Sequence, residues 1–370
     1  MQGSLFKRSA LRAKSKMFWA GLLRACGVLF LAKSLVRQRG AIVLTFHRVL
    51  AENEMEQTAS LSGMVVRRQT FDAFLQYAAK NCEFLDLSAE PDWHGSAKLK
   101  LVVTFDDGWS DNATGAHPIA CKHQAPLAIF IVPEKMGTDF PFWPERAVSV
   151  LDGGRSTDDV RQNRNFIEQT IENLKGLSAD KRNQRIEQLA SDHGRPSSLA
   201  HVDRTMTWEQ IAQLHREGVI FGSHTSTHEI LTAIPLAHAE REITVSRALI
   251  EQRVGAPCYL FAYPNGDCSQ EVRELVKRAG YKLAFLNQDP GVWTRQCDPY
   301  LIPRVNVCEY HLVTAKGDFS ALIFEYAVIW SAAKGLMAQM RMNFVRNLRS
   351  KFFRGWAGGQ SGKKELEKPS

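Results

Sequence analysis

The chain has 370 residues, 44% of them hydrophobic and 23% charged, an ordinary globular usage that excludes a disordered, collagen-like or disulfide-stapled chain for its bulk. Its net charge of +8 is unevenly placed: residues 1–40 hold nine basic and no acidic residues, residues 330–370 hold nine basic and two acidic, and the other 29 basic and 37 acidic residues leave the middle at −8. A nucleic-acid enzyme carries positive charge around its groove, so no nucleic-acid partner is expected; basic ends with interleaved apolar residues point to an anionic membrane surface.

The first forty residues read as a basic helix with an apolar side: Phe18, Leu22, Leu23, Val28, Leu29, Phe30, Leu31 and Leu35, interrupted by Arg24 and Lys33. The apolar core runs only from Ala25 to Ala32, without a clear cleavage site after it. An interfacial helix is therefore favoured over a cleaved signal peptide, with packing on the body of the protein as the competing account. No stretch of eighteen residues is free of charge, so a conventional membrane span is not expected.

From Ala41 the texture changes. Residues 41–46 form an apolar run read as a buried strand, 71–80 have helical spacing, and 99–105 are a second buried strand ending in Asp-Asp-Gly. Residues 113–123 read as helix and 127–132 as strand. Residues 137–205 are the least strand-like and read as a helical insertion. A helix starts at Thr207 with a polar cap. Then come a strand at 219–221, a helix at 238–253, a strand at 259–263, a helix at 271–279 and a strand at 281–286. Alternating strands and helices indicate a parallel β/α architecture. Residues 320–354 keep one apolar face at spacings of three and four. The chain thus divides into a basic amphipathic helix (1–40), a main domain (41–315) with its insertion, a second basic amphipathic helix (316–356) and a flexible tail (357–370). Seven scattered cysteines without a CxxC pair argue against a disulfide framework. They favour a cytoplasmic location or one peripheral to the inner membrane, with the periplasm as the alternative.

Three strand ends carry chemistry. Thr104-Phe-Asp-Asp-Gly108 places two adjacent carboxylates where parallel β/α folds put active sites. Such a pair is costly unless a cation offsets the repulsion, which suits a metal ligand beside a general base. Ser223-His-Thr-Ser-Thr-His228 supplies two histidines four residues apart, which can share one metal. Two imidazoles and a carboxylate would leave open positions for water and substrate; the set suits zinc and non-haem iron alike. Phe261-Ala-Tyr-Pro-Asn-Gly266 is a fixed turn whose Tyr263 N–H could face a developing oxyanion.

Together these segments resemble the polysaccharide deacetylase family, carbohydrate esterase family 4 or NodB-homology domain. Thr104–Gly108 is similar to its first motif, Ser223–His228 to its second, and Tyr263-Pro264 with Gly266 to its third, over about residues 40–310. The resemblance implies a distorted β/α barrel of about seven strands. It implies a divalent metal, zinc first and Co, Ni, Mn or Fe next, on Asp107, His224 and His228. Asp106 would be the general base and the Tyr263 backbone N–H an oxyanion donor. The implied substrate is an N-acetylated glycan, losing acetate. An O-deacetylase on the same metal, or a silent glycan-binding scaffold, is the alternative.

The chain departs from the family in two places. The third-motif Arg that orients the base falls at Phe261, for which Arg304 in Ile302-Pro-Arg-Val305 is the candidate substitute. The family's late general-acid motif has no clear counterpart. His47, in Leu44-Thr-Phe-His-Arg-Val49, is proposed as the acid or an extra ligand, and this segment resembles the opening of exopolysaccharide-linked members. Trp109, Trp143 and Pro264 are candidate sugar contacts, the two tryptophans as apolar platforms.

Overall fold

The computed structural model describes residues 15–342, apart from 90, 92, 94–95, 139–141, 153–156, 194–201 and 288–289. The tail expected at 357–370, the C-terminal helix beyond 342 and the first fourteen residues of the basic helix lie outside the described residues.

Eleven strands are described: β1 (Gly40–Phe46), β2 (Arg48–Leu50), β3 (Val65–Arg67), β4 (Cys82–Phe84), β5 (Leu99–Phe105), β6 (Leu127–Ile131), β7 (Ile220–Ser223), β8 (Leu260–Ala262), β9 (Leu283–Phe285), β10 (Trp293–Thr294) and β11 (Val305–Asn306). β2 and β3 pair with each other, and the rest form one nine-stranded sheet with the spine β1-β5-β6-β7-β8-β9. Every neighbouring pair of that spine is parallel. β4 lies parallel to the start of β5, and β10 lies antiparallel to the start of β1.

Residues 302–306 close the curl. Ile302 bridges Phe285 of β9, exchanging hydrogen bonds with Ala284 and Leu286 at 3.0 and 2.8 Å. Three residues on, Val305 pairs with Leu44 of β1. This segment is a seventh parallel position, so the expected distorted barrel is the observed architecture. All residues of β1 and β5 are buried, as parallel strands covered on both faces must be, and this is why they read as unbroken apolar runs.

The helices are α1 (Ser15–Ala25), α2 (Val28–Arg39), α3 (Arg68–Asn81), α4 (His117–Lys122), α5 (Trp143–Asp152), α6 (Thr157–Lys175), α7 (Ala179–His193), α8 (Trp208–Arg216), α9 (Leu236–Val254), α10 (Gln270–Arg278) and α11 (Ala321–Met342). Local chemistry sets their starts and stops. Thr207 and Gln210 form a reciprocal capping box on α8, the Ser269 side chain caps α10, and Gly255 ends α9 at φ 75°. In the inserted stretch, α5, α6 and α7 bury a cluster of their own that includes Val150, Leu151, Ile171 and Ile186.

The helices α2 and α11 both pack on the barrel. Ala32 and Val36 of α2 and Phe324, Val328 and Ala332 of α11 share the core cluster of the barrel strands. α11 is long and apolar enough to cross a membrane, yet 39% of its apolar window is buried inside the protein. The single N-terminal helix expected from the sequence is two helices, α1 and α2, bent by 76° at Gly27, which takes the left-handed φ of 75°.

Register aligns the motifs. Phe46 pairs with Phe105, Ile131 with Ser223, and Ser223 with Phe261. His47, Asp106, His224 and Tyr263 therefore leave the sheet near one end of the barrel, the C-terminal mouth.

Candidate metal centre

The two motif loops hold conformations that non-glycine residues rarely adopt. Asp107 sits at φ 74°, Thr225 at 64° and His228 at 71°. Such left-handed backbone costs on the order of 1–3 kcal/mol each and persists where the surroundings over-determine it. Gly108 follows at φ 74°, where a Cβ would lie 2.9 Å from the Ile131 side chain. The second loop is pinned from α9. Glu242 accepts the backbone N–H groups of Ser226 and Thr227, both at 2.9 Å, and the Thr227 hydroxyl at 2.8 Å. The Thr225 hydroxyl accepts the His228 N–H at 3.0 Å.

These strained turns aim Asp107, His224 and His228 at one point, with their ligand atoms all within 4.8 Å of one another. Asp107 Oδ1 lies 3.3 Å from His228 Nε2 and 3.7 Å from His224 Nε2. His224 Nδ1 donates to the Ala262 carbonyl at 2.8 Å, which leaves Nε2 as the free lone pair. Burial pushes the His224 imidazole down to about 4, so it is neutral at pH 7 and fit to ligate. Burial also opposes ionisation of Asp107, but the neighbouring His228, then His47 and His224, outweigh it and hold the carboxyl below its usual range.

Asp107 Oδ1 is buried without a hydrogen-bond partner. A buried anionic oxygen 3.3 Å from one imidazole nitrogen and 3.7 Å from another is costly unless a proton or a cation lies between them. One carboxylate and two imidazoles are a fitting set for zinc or a related divalent ion. The residues present therefore fit the metal.

Beside this cluster, Asp106 is 1% exposed and held by Arg304 in a two-pronged ion pair, with Nη1 to Oδ1 and Nη2 to Oδ2 both at 2.7 Å. Arg304 also donates Nε to the Leu286 carbonyl at 2.9 Å. Burial alone would raise the Asp106 carboxyl, but the guanidinium prevails and holds it below its usual range. Phe261, where the family has its Arg, packs in the core against Tyr263 and Tyr281. The guanidinium arrives instead from beside β11, 198 residues from Asp106.

His47 ends β1 at the same mouth, buried, with Nδ1 lacking a hydrogen-bond partner. Its carbonyl accepts the Asn112 side-chain amide at 2.9 Å. Among the described residues the cluster that could hold a metal is Asp107, His224 and His228.

Four expectations need correction. The Tyr263 N–H is not available to an oxyanion, because β8 continues one residue further and spends it on the Phe285 carbonyl at 3.0 Å. In the turn that follows, Gly266 and Asp267 close onto Tyr263 and Pro264, while Asn265 takes a left-handed φ of 59°. Pro264 is buried and starts this turn, so it offers no open sugar contact. Trp109 is 1% exposed and no platform. Its indole N–H donates to Asp107 Oδ2 at 3.1 Å, with its ring between the Arg48 guanidinium, 4.2 Å from the centroid, and Phe142 at 5.0 Å. Trp143 starts α5 with its ring 4.8 Å from the Arg182 guanidinium, packed against the insertion's own cluster.

Sequence reasoning missed the group behind Trp109. Arg48 is wholly buried and bonded to Asp111 Oδ1 at 2.6 Å, Asp203 Oδ1 at 2.8 Å, Ser60 at 2.8 Å and the Val202 carbonyl at 2.7 Å. The signal was an arginine inside an apolar strand, which must be paired if it is buried. Glu145 of α5 is 2% exposed and accepts from the Ser60 hydroxyl at 3.3 Å. Burial, reinforced by the charge of Asp107, pushes its carboxyl up to about 8.

Comparison with known proteins places this site in context. The family model for polysaccharide deacetylase matches residues 95–284, which is 190 of the 370 residues. YxkH of Bacillus subtilis (strain 168), a polysaccharide deacetylase by its provisional name, is 24% identical over 207 residues, 56% of this chain and 51% of its own length. The chain thus spans about half the length of the curated relative it matches. Among solved structures, BC0361, a polysaccharide deacetylase from Bacillus cereus, has a TM-score of 0.51 at 16% identity over 78% of this chain and 69% of that one. Streptococcus pyogenes PplD, a deacetylase in complex with acetate, has a TM-score of 0.49 at 17% identity over 73% of this chain and 92% of that one.

Proposed function

Since the chain belongs to the polysaccharide deacetylase family, we propose that it is a metal-dependent hydrolase that removes N-acetyl groups from an N-acetylhexosamine-containing glycan, leaving a free amine and acetate. The observation that carries this reading is the Arg304–Asp106 pair beside the Asp107, His224 and His228 cluster. A silent scaffold would have no use for a buried arginine that keeps the base ionised in a chain with Phe261 at the position of the family's arginine.

Asp107, His224 and His228 would hold the metal, whose chemistry at this mouth is that of a Lewis acid, polarising the amide carbonyl and acidifying water. Asp106 supplies a carboxylate that accepts a proton from the attacking water. Arg304 fixes the orientation of that carboxylate and keeps it charged in a dry site. His47, buried at the same mouth, is the side chain proposed to return a proton to the departing amine nitrogen. Trp109 and Glu242 hold the ligand loops in place rather than touching substrate. An exopolysaccharide or other cell-envelope glycan is the favoured substrate class, supported by the Leu44–Val49 segment.

The test is acetate release from oligomers of N-acetylglucosamine by the zinc-supplemented protein beside Asp106→Asn. Release by the wild type that falls at least 100-fold in the variant, with metal binding retained, is expected. Equal release by both would remove Asp106 from the mechanism. Release from O-acetyl esters alone would replace the amidase reading with an esterase.

A further inference from the structure

The outward faces of α1 and α2 are the reverse of what water selects. α1 turns Ala20 inward at 0% exposure and leaves Phe18, Trp19 and Leu22 at 65%, 49% and 41%. α2 turns Leu29, Ala32 and Val36 inward and leaves Phe30 at 75% and Leu31 at 66%. Five large apolar side chains thus stand out along one elbow, bent by 76°. Nearby on α11, Met337, Met340 and Met342 are 40%, 39% and 66% exposed.

The charge that the elbow itself carries has one sign. No acidic residue occurs in residues 1–51, while the two helices carry Lys16, Arg24, Lys33, Arg37 and Arg39. Among the described residues the acid that meets them is Glu325 of α11, 3.3 Å from Lys33 and 3.9 Å from Arg24. Lys16 reaches the Tyr310 carbonyl, and Arg37 donates to the Ala97 carbonyl at 3.1 Å; neither partner neutralises the cation. α11 adds Lys334 and Arg341.

We propose that the α1–α2 elbow is a docking surface for an anionic phospholipid bilayer, with Phe18, Trp19, Leu22, Phe30 and Leu31 entering the boundary between headgroups and acyl chains. Aromatic and aliphatic side chains flanked by cations are what such a boundary selects. At 1.5 Å per residue each helix is about 16–18 Å long, short of the ~30 Å hydrocarbon core, and the bend keeps the pair from acting as one straight span. A second copy of the chain is a poorer occupant, because its matching face would bring cations against cations.

The experiment uses the full chain with sedimentable vesicles of phosphatidylcholine, with and without about one-third phosphatidylglycerol, in ~0.1 M salt, where screening is moderate. Binding to the anionic vesicles at least tenfold tighter than to the neutral ones is expected, weakening as salt rises. The triple variant Trp19→Ser, Phe30→Ser, Leu31→Ser should lose at least tenfold of that affinity with unchanged melting and unchanged metal binding. Arg37→Gln with Arg39→Gln should reduce the preference for anionic over neutral vesicles while keeping the fold. Wild-type protein that fails to sediment with anionic vesicles overturns the proposal. So does a triple variant that sediments like the wild type, or a wild-type dimer dissolved by the triple substitution without any vesicle binding.

Discussion

Trp109→Phe isolates one hydrogen bond behind the metal centre. Phenylalanine keeps an aromatic ring beside Arg48 and Phe142, but it cannot donate to Asp107 Oδ2, which now accepts the indole N–H at 3.1 Å. Asp107 is 4% exposed, so water cannot readily replace the donor. A hydrogen bond to a charged buried group is worth about 1.5–3 kcal/mol, and outer-shell partners of metal ligands typically set about 10–100-fold in metal affinity. At 1.4 kcal/mol per tenfold these two ranges agree. The expected result is a zinc dissociation constant raised about 10–100-fold, read by competition against a chromophoric chelator, together with a lower metal-free melting temperature because Asp107 Oδ2 loses its donor. An affinity within about twofold of wild type would refute the argument that the indole positions this ligand, since the lost bond alone implies at least tenfold. A loss of melting temperature without a loss of affinity would make Trp109 a packing residue only.

Other perturbations test other parts of the site. Arg304→Met leaves Asp106 as an uncompensated buried charge, a change that costs about 3–5 kcal/mol, seen as a lower denaturation midpoint. The arginine depresses the Asp106 carboxyl, so in any folded fraction the acidic limb of the pH–rate profile should move to higher pH; an unmoved limb would separate Arg304 from the base. Glu145→Gln tests the carboxyl raised to about 8. A group whose folded value lies above its unfolded one, here about 4.5, loses stability as pH rises between the two. Glutamine mimics the protonated form, so the variant should gain on the order of 2–4 kcal/mol over wild type near pH 8 and little near pH 4. Parallel melting curves across that window would place Glu145 in a more hydrated setting.

The barrel was legible because its central strands are buried on both faces, so β1, β5 and β6 read as apolar runs at nearly their observed bounds. Asp106, Asp107 and His224 were legible because they directly follow strands, and His228 because it stands four residues after His224 in the same loop. What escaped depended on spacing across the sheet. That Tyr263 N–H is spent on Phe285 is a matter of one residue of ladder length, which no local pattern records. Trp109 looked like an exposed aromatic after a turn; its burial follows from Arg48 and Phe142, whose approach is set by β2 and the inserted stretch. β2, β3, β10 and β11 are two or three residues long, too short to show a period. Arg304 was found by its place near a strand end, while its pairing with Asp106 rests on closure of the barrel between β9 and β1.

The most direct measurement is the zinc stoichiometry and affinity of the purified full chain beside His224→Ala and His228→Ala, with folding checked by circular dichroism. A metal centre built from Asp107, His224 and His228 predicts one tightly bound ion per wild-type chain and a loss of at least 100-fold in affinity in each folded variant. Wild-type protein that takes up no zinc, or variants that bind it as the wild type does, would contradict the metal centre and the hydrolase built on it.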